Sequence, residues 1–180
     1  MPTSTPPGAR TTLGDVLEVF DLADGSGARL WLDGGWGVDA LLGEQTRVHG
    51  DLDVALEARH CEAFLAVLAG AGFAPVGEEG AAPWNFLLSR RLGGRLQVLD
   101  LHVVVLDAEG NGVLGPPERG AAFPAGSLTG RGRLGGRDVD CIAPQWVVRF
   151  HDRYAGDDND RADVRALCAR FDLEVPEQYR

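Results

Sequence analysis

Long apolar runs are missing from this chain. No stretch approaches the roughly 20 apolar residues that a membrane-spanning helix needs, and the Pro/Ser/Thr-rich first ten residues lack the apolar centre of a secretory signal. Cysteine is scarce. Cys61, Cys141 and Cys168 are widely and irregularly spaced, which excludes a metal-knuckle pattern and offers no disulfide scaffold. Each sits among apolar neighbours and is expected as a buried free thiol in a reducing compartment. Positive charge is also in short supply. With 17 Lys+Arg against 27 Asp+Glu, the formal net charge is -10, so the chain repels nucleic acid and anionic membrane on average. Any bound polyanion would need metal or a few local arginines, whereas a cationic ligand would be welcomed. There is no internal repeat. These absences point to a cytoplasmic protein with no membrane partner and with nucleic acid disfavoured.

What is present suffices for one core. A 44% hydrophobic content over 180 residues fits one domain, and 24% charged residues argues against global disorder. Residues 1–10 are expected as a disordered tail. Thr12 followed by Asp15 is a helix-start signal, and Leu13, Val16, Leu17 and Phe20 stripe a helix that should stop near Gly25 and Gly27. A short strand is expected over 28–33, then one or two helical turns over 36–42 closed by Gly43. Residues 51–56 alternate acid and apolar in the period of a strand. Cys61, Phe64, Leu65 and Leu68 mark a helix over 60–69 with Gly70 as its C-cap. Strands follow over 73–76, 84–88 and 96–106, then a Gly/Pro-rich loop over 109–126. Residues 128–134 and 137–142 should pair as a hairpin around Gly135-Gly136. Pro144 suits the first turn of a helix reaching about Tyr154, and Val164, Leu167, Cys168 and Phe171 stripe a last helix over 160–170. This order reads as an α/β (α+β) fold: a sheet with helices layered on one side and a helical C-terminus. The expected division is a core over 11–142 and a C-terminal helical extension over 143–180 packed on it.

The chemistry centres on carboxylates. Asp51 and Asp53 are separated by one residue on an expected strand, so their side chains share a face with Cα atoms about 6.5 Å apart. Such a pair can reach one divalent ion, which would keep waters and substrate phosphates as its other ligands. Asp100 lies inside an apolar strand-like run, where an unpaired carboxylate costs several kcal/mol. It must meet solvent, a cation or a metal. His102, two residues on, faces the same way. Gly34 and Gly35 follow a strand and precede a helix, a place where backbone approaches a ligand closely and free N–H groups receive phosphate. The segment is neither a P-loop nor a dinucleotide fingerprint. Asp33 and Asp39, which flank it, read as cap or surface carboxylates.

The string Trp31-Leu32-Asp33-Gly34-Gly35-Trp36-Gly37-Val38-Asp39-Ala40-Leu41-Leu42-Gly43, followed by Thr46-Arg47-Val48-His49-Gly50-Asp51-Leu52-Asp53, resembles the antibiotic nucleotidyltransferases of the polymerase-beta-like superfamily. The likeness is first to the lincosamide nucleotidyltransferases and next to the aminoglycoside 2''-adenylyltransferases. Leu99-Asp100-Leu101-His102 looks like the family's third-acid strand. Cys141-Ile142, His151, Tyr154, Asp163-Val164 and Leu167 resemble the lincosamide group's tail. The superfamily's Gly-Ser is here Gly34-Gly35 before Trp36, a change shared by the antibiotic-modifying members. His102-Val103 stands where many lincosamide-like members have His-Pro.

The resemblance implies a polymerase-beta-like nucleotidyltransferase fold, a mixed sheet with packed helices and a short helical C-terminus. It implies Mg²⁺-dependent transfer of a nucleoside monophosphate, AMP from ATP or the corresponding group from another nucleoside triphosphate, to a hydroxyl of a small lincosamide-like or aminoglycoside-like antibiotic, with pyrophosphate released. Carried over by position, Asp51 and Asp53 are metal ligands and Asp100 is a third ligand or the general base. Gly34 and Gly35 shape the phosphate loop, and Arg47 meets phosphate charge. His49 is either a nucleotide contact or scaffold. Trp84, His102, His151, Tyr154 and the loop 109–126 are placed on the acceptor side. Two other readings compete: a nucleotidyltransferase acting on tRNA or protein in a toxin system, and an inactive nucleotide-binding protein. So short a chain has limited surface to enclose nucleotide and acceptor together, which makes a homodimer sharing the cleft one expected arrangement.

Overall fold

Thr12 starts the first helix by exchanging hydrogen bonds with Asp15. The Asp15 N–H donates to Thr12 Oγ1 at 3.3 Å and the Thr12 N–H donates to Asp15 Oδ2 at 2.8 Å, which satisfies backbone donors that a helix start leaves open. Helix α1 (Leu13–Ser26) ends on Gly27 in the left-handed conformation, as the sequence indicated. Arg95 donates to both carboxylate oxygens of Asp15 at 2.8 and 3.2 Å, so the cap is also tied to the sheet. Burial alone would raise the Asp15 pKa; the bonds from Arg95 and Thr12 outweigh it and hold the carboxyl below its ordinary value.

This computed structural model describes residues 7–76, 84–114 and 122–180. After α1 come β1 (Leu30–Leu32), α2 (Gly34–Leu42), β2 (Leu52–Glu57), α3 (Cys61–Gly70), β3 (Ala74–Pro75), β4 (Asn85–Leu92), β5 (Arg95–Leu106), β6 (Gly112–Leu114), β7 (Gly130–Leu134), β8 (Arg137–Cys141), α4 (Pro144–His151) and α5 (Asp158–Phe171). The sheet runs β3-β4-β5-β2-β1-β8-β7, with β6 paired to β5. It is mixed: β2 is parallel to β5 and β1 to β8, while β1–β2, β4–β5, β5–β6 and β7–β8 are antiparallel.

The core sits against one face of the central strands. Leu52, Val54, Leu56, Leu99 and Leu101 have no exposed surface, and they belong to one apolar cluster with Val16, Val19 and Phe20 of α1 and Phe64 and Leu68 of α3. Arg90 marks the edge of this layer. Its guanidinium donates to Gln97 Oε1, to both Glu18 carboxylate oxygens and to the Ala71 carbonyl, and it stacks over Phe73. A buried arginine is thereby fully paired, as burial of a charge requires.

Several boundaries differ from the sequence reading for local reasons. Helices are not confined to one side: α2 packs on β2 and β7, and α4 and α5 pack on α2 and on each other, away from the α1–α3 pair. The last four residues of the expected tail are described. Of these, Ala9 bridges to Leu96 and the Arg10 N–H donates to the Leu96 carbonyl at 2.9 Å; residues 1–6 lie outside the described residues. The expected loop 109–126 contains β6, and its residues 115–121 also lie outside the described set. Helix α4 stops at His151, short of Tyr154, and α5 starts at Asp158 because Asp157 and Asp160 form a second capping box. The Gly135-Gly136 hairpin turn is present, with φ of 55° and 86° at the two glycines, a pairing only glycine adopts readily. The cysteines are all free; Cys141 and Cys168 are buried as expected, while Cys61 is only half-buried. Burial pushes the Cys141 thiol up to about 12, so it stays protonated and unreactive at neutral pH. Among the described residues, no helix is long and apolar enough to cross a membrane.

Candidate active site

The second face of the same strands carries the acids. In the parallel β2–β5 ladder Asp53 lies opposite Asp100 and Ala55 opposite His102. Because side chains alternate along a strand, these residues project away from the buried leucines between them. One ligand atom from each of Asp53, Asp100 and His102 lies within 4.8 Å of the others. Asp51 precedes β2, so it is not held by the ladder, and it stands outside that mutually close group while lining the same cleft. The sequence set Asp51, Asp53 and Asp100 is therefore drawn into one region, with His102 joining the acids rather than standing apart.

The cleft has a volume of about 350 Å³. One wall is made by Asp33, Gly34, Gly35, Arg47, Asp51 and Asp53; the other by His102, Phe150, His151, Tyr154 and Asp160. Asp33 caps α2, its carboxylate accepting from the Gly34 N–H at 2.8 Å, and its backbone N–H donates to the Asp53 carbonyl at 3.0 Å. The helix start is thus fastened directly to the acid strand. Gly34 has a φ of 55°, and a Cβ there would run into the Asp53 carboxylate. At Gly35 a Cβ would lie 2.5 Å from both Arg47 Nη2 and His49 Nδ1. The glycine pair leaves room for the side chains of Asp53, Arg47 and His49 against the first turn of α2, whose N–H groups lack intrahelical acceptors.

Two buried carboxylates hold the segment between α2 and β2. Asp39, with no exposed surface, accepts from the Thr46 N–H at 3.0 Å and the Thr46 hydroxyl at 2.6 Å, and its other oxygen lies 2.5 Å from His49 Nε2. The His49 ring also lies 4.5 Å from that of Trp36, centroid to centroid. His49 is 2% exposed and sits behind Gly35, which makes it scaffold for the loop rather than a cleft-lining group. Asp39, read from the sequence as a cap or surface acid, is instead a buried anchor. The second carboxylate, Asp163 of α5, accepts from Arg47 Nη2 at 2.8 Å.

Burial pushes the Asp53 carboxyl well above its ordinary pKa, and the charges of Asp51, Asp33 and Asp100 push it further, with Arg47 opposing them. Like charges crowded in a half-shielded cleft are stabilised by a divalent cation. The two facing carboxylates supply the hard oxygen donors that Mg²⁺ prefers, and the imidazole of His102 is a donor that softer divalent ions also accept. The donor set fits a divalent metal.

A model of the aminoglycoside-2''-adenylyltransferase family matches residues 15–167. The chain belongs to that family. It is a nucleotidyltransferase, with an antibiotic nucleotidyltransferase's fold. It is 28% identical over 153 residues to a lincosamide resistance protein of Staphylococcus haemolyticus, a match covering 85% of this chain and 92% of the relative. Among solved structures, the lincomycin-bound lincosamide antibiotic adenylyltransferase LnuA superposes with a TM-score of 0.76 at 26% identity, covering 89% of this chain and 99% of that one. ANT(2")-Ia, solved with adenylyl-2"-tobramycin, shares the fold with a TM-score of 0.68 at 23% identity over 87% of each chain. In this adenylyltransferase Asp53, Arg47 and the glycine turn line one cleft, with Asp100 paired to Asp53 across the ladder.

The residues expected on the acceptor side divide. His102, His151 and Tyr154 line the cleft; Trp84 does not. Trp84 is half-buried against the core, and its carbonyl accepts from the Val103 N–H at 2.7 Å, so it fixes the start of β4 beside β5. His151 Nδ1 lies 2.8 Å from the Val147 carbonyl and Nε2 lies 3.3 Å from Asp160 Oδ1, while the Tyr154 hydroxyl donates to the same Asp160 oxygen at 3.3 Å. Burial, then Asp160, raises the Tyr154 pKa and keeps its hydroxyl protonated. Phe150, Asp160 and Phe123 escaped the sequence reading. Phe123 bridges His102 and Phe150, with ring centroids 6.4 and 5.9 Å away. Its position in a Gly/Pro-rich stretch gave no periodicity to find it by; Asp160 was legible only as part of a helix start.

Proposed function

We propose that this adenylyltransferase transfers AMP from ATP to a hydroxyl of a small, amine-bearing antibiotic of the lincosamide or aminoglycoside kind and releases pyrophosphate. The observation that carries this reading is the in-register Asp53–Asp100 pair, of which Asp53 lines a cleft that Arg47 also lines. Asp51 and Asp53 would hold a divalent metal, which would supply neutralisation of the phosphate charge that develops, while Asp100 beside them is kept for the acceptor's proton. Arg47 and the N–H groups of the first turn of α2 bind the triphosphate. The acceptor hydroxyl oxygen attacks the α-phosphorus in line with the leaving group; that O–P bond forms as the bond to the β-phosphate oxygen breaks, and pyrophosphate leaves with the electron pair. The hydroxyl proton passes to a carboxylate oxygen of Asp100, which stands between the nucleotide-side acid Asp53 and His102 on the acceptor side. Positioning does most of the work, as in other phosphoryl-group transfers.

Charge supports an amine-bearing acceptor. The cleft is lined by four aspartates and one arginine, and a chain of net charge -10 attracts an ammonium group from a distance. Phe150 and the rings of His151 and Tyr154 offer apolar surface for a sugar or lincosamide ring on the far wall. The test is a pyrophosphate-release assay with Mg²⁺, each nucleoside triphosphate, and lincosamides, aminoglycosides or tRNA as acceptors. Release that requires ATP and an antibiotic is expected. Release only with tRNA, or tight triphosphate binding with no release for any acceptor, would replace the reading.

A further inference from the structure

We propose that Asp163 is a positioning residue for the nucleotide site: from the C-terminal helix α5 it holds Arg47 in the orientation that meets phosphate and keeps it off the metal-binding carboxylates. This rests on the reading of Arg47 as a phosphate contact. Arg47 lies in the irregular segment between α2 and β2, so no regular element fixes its backbone, and its side chain would otherwise sample many rotamers. The cleft around it is crowded with anions. An arginine without a fixed partner there would swing onto Asp33, Asp51 or Asp53, and Arg47 already influences the Asp53 charge. Asp163 prevents this. It is 5% exposed in the middle of α5, a helix position where a lone carboxylate would be costly. It takes the Nε–Nη2 edge of the guanidinium, with Nη2 donating to Oδ2 at 2.8 Å and Nε to Oδ1 at 3.5 Å.

The same edge of Arg47 is also packed. Its Nη2 fills the space that a Cβ on Gly35 would take, so the guanidinium lies against the first turn of α2. With the Nε–Nη2 edge committed to Asp163, the Nη1 end is the part of the guanidinium turned to a phosphate oxygen. The arrangement also couples two parts of the chain: α5 packs on α2, and the Arg47–Asp163 bond joins that packing to the loop leading into the acids.

The test compares Asp163→Asn, Asp163→Glu, Arg47→Ala and the double variant Arg47→Ala/Asp163→Asn, using ATP and the best acceptor from the panel. Asn keeps shape and one acceptor oxygen but removes the charge. The expected result is a rise of about tenfold in the KM for ATP, an unchanged KM for the acceptor, and a melting temperature close to the parent's. Asp163→Glu should recover part of the ATP affinity. The double variant should be no worse than Arg47→Ala alone, because Asp163 acts only through Arg47. The proposal is overturned if Arg47→Ala weakens ATP while Asp163→Asn does not, or if the two losses multiply. If Arg47→Ala itself leaves ATP affinity unchanged, the phosphate-contact reading fails instead, and the Asp163 proposal falls with it. Should Asp163→Asn not fold, Asp163→Glu against Arg47→Lys provides the same comparison.

Discussion

Strands β2 and β5 have two faces made of alternate residues, and the two do opposite work. On one face Leu52, Val54, Leu56, Leu99 and Leu101 are wholly buried beneath α1 and α3. On the other, Asp53 faces Asp100 and His102 follows, with the start of α2 close enough that Gly34 can carry no side chain. The first face supplies apolar burial at roughly 25 cal/mol per Å². The second gathers like charges and opposes folding until something cationic arrives. A strand slipped by one residue would exchange the two sets, so the apolar face fixes the register on which the acid face depends.

Substitutions on the two faces should therefore separate stability from activity. The largest effect is expected for Asp53→Asn: transfer should fall by about 10²–10³-fold or more, measured as pyrophosphate release. The same change should stabilise the metal-free protein. The folded-state pKa of Asp53 is raised, so the native state keeps a proton that the unfolded chain loses above its ordinary value of 3.8, and stability falls as pH rises from there through the raised native value. Removing that titration should lift the melting temperature at neutral pH by about 2–4 °C per kcal/mol gained, read by calorimetry without metal. A lower melting temperature with chelator present would count against the acid face as a site of charge strain.

Leu101→Ala probes the opposite face. It should cost about 2–5 kcal/mol in denaturant unfolding while the folded fraction keeps its turnover per molecule. Gly35→Ala lies at the meeting of the two sides of the cleft. It should cost about 1–3 kcal/mol of stability and lower turnover by about 10–100-fold, because the added methyl displaces Arg47 and the buried His49; parent-like melting and kinetics would mean that this close packing has no consequence. The smallest effect belongs to Asp15, far from the acids. Its pKa is depressed, so its stabilisation is present above the ordinary carboxylate value and is lost as pH falls through the native one. Asp15→Asn should cost about 1 kcal/mol at pH 7, and the gap from the parent should close on acidification below about pH 4.

The two faces were not equally legible in the sequence. The apolar face was readable from periodicity alone, since it needs only alternation. The acid face was readable in part, because Asp51-Leu52-Asp53 and Asp100-Leu101-His102 share the same spacing and project to one side. What spacing could not give is that Asp53 meets Asp100 in a parallel ladder, which depends on strand order across the whole sheet. The capping box at Thr12, the hairpin at Gly135-Gly136 and the caps of α2 were local enough to read. The partners of Asp39 and Asp163 were not: Asp163 was marked only by the likeness of the tail, and an aspartate within a helix looks like a solvated surface residue until His49 and Thr46, or Arg47, arrive from elsewhere. Trp84 erred the other way, an aromatic near the acceptor strand whose contacts are with the core.

The ladder between β2 and β5 also acts as a ruler. Backbone hydrogen bonds set the separation of the Asp53 and Asp100 carboxylates, and a ladder of that kind does not stretch to suit a new substrate. The far wall is built differently, from helix ends and aromatic rings contributed by α4, α5 and the turn between them, with Phe123 packed behind Phe150. Under the proposed function, adaptation to a different drug would proceed on that wall, one side chain at a time, while the proposed reaction centre stays at a fixed gauge.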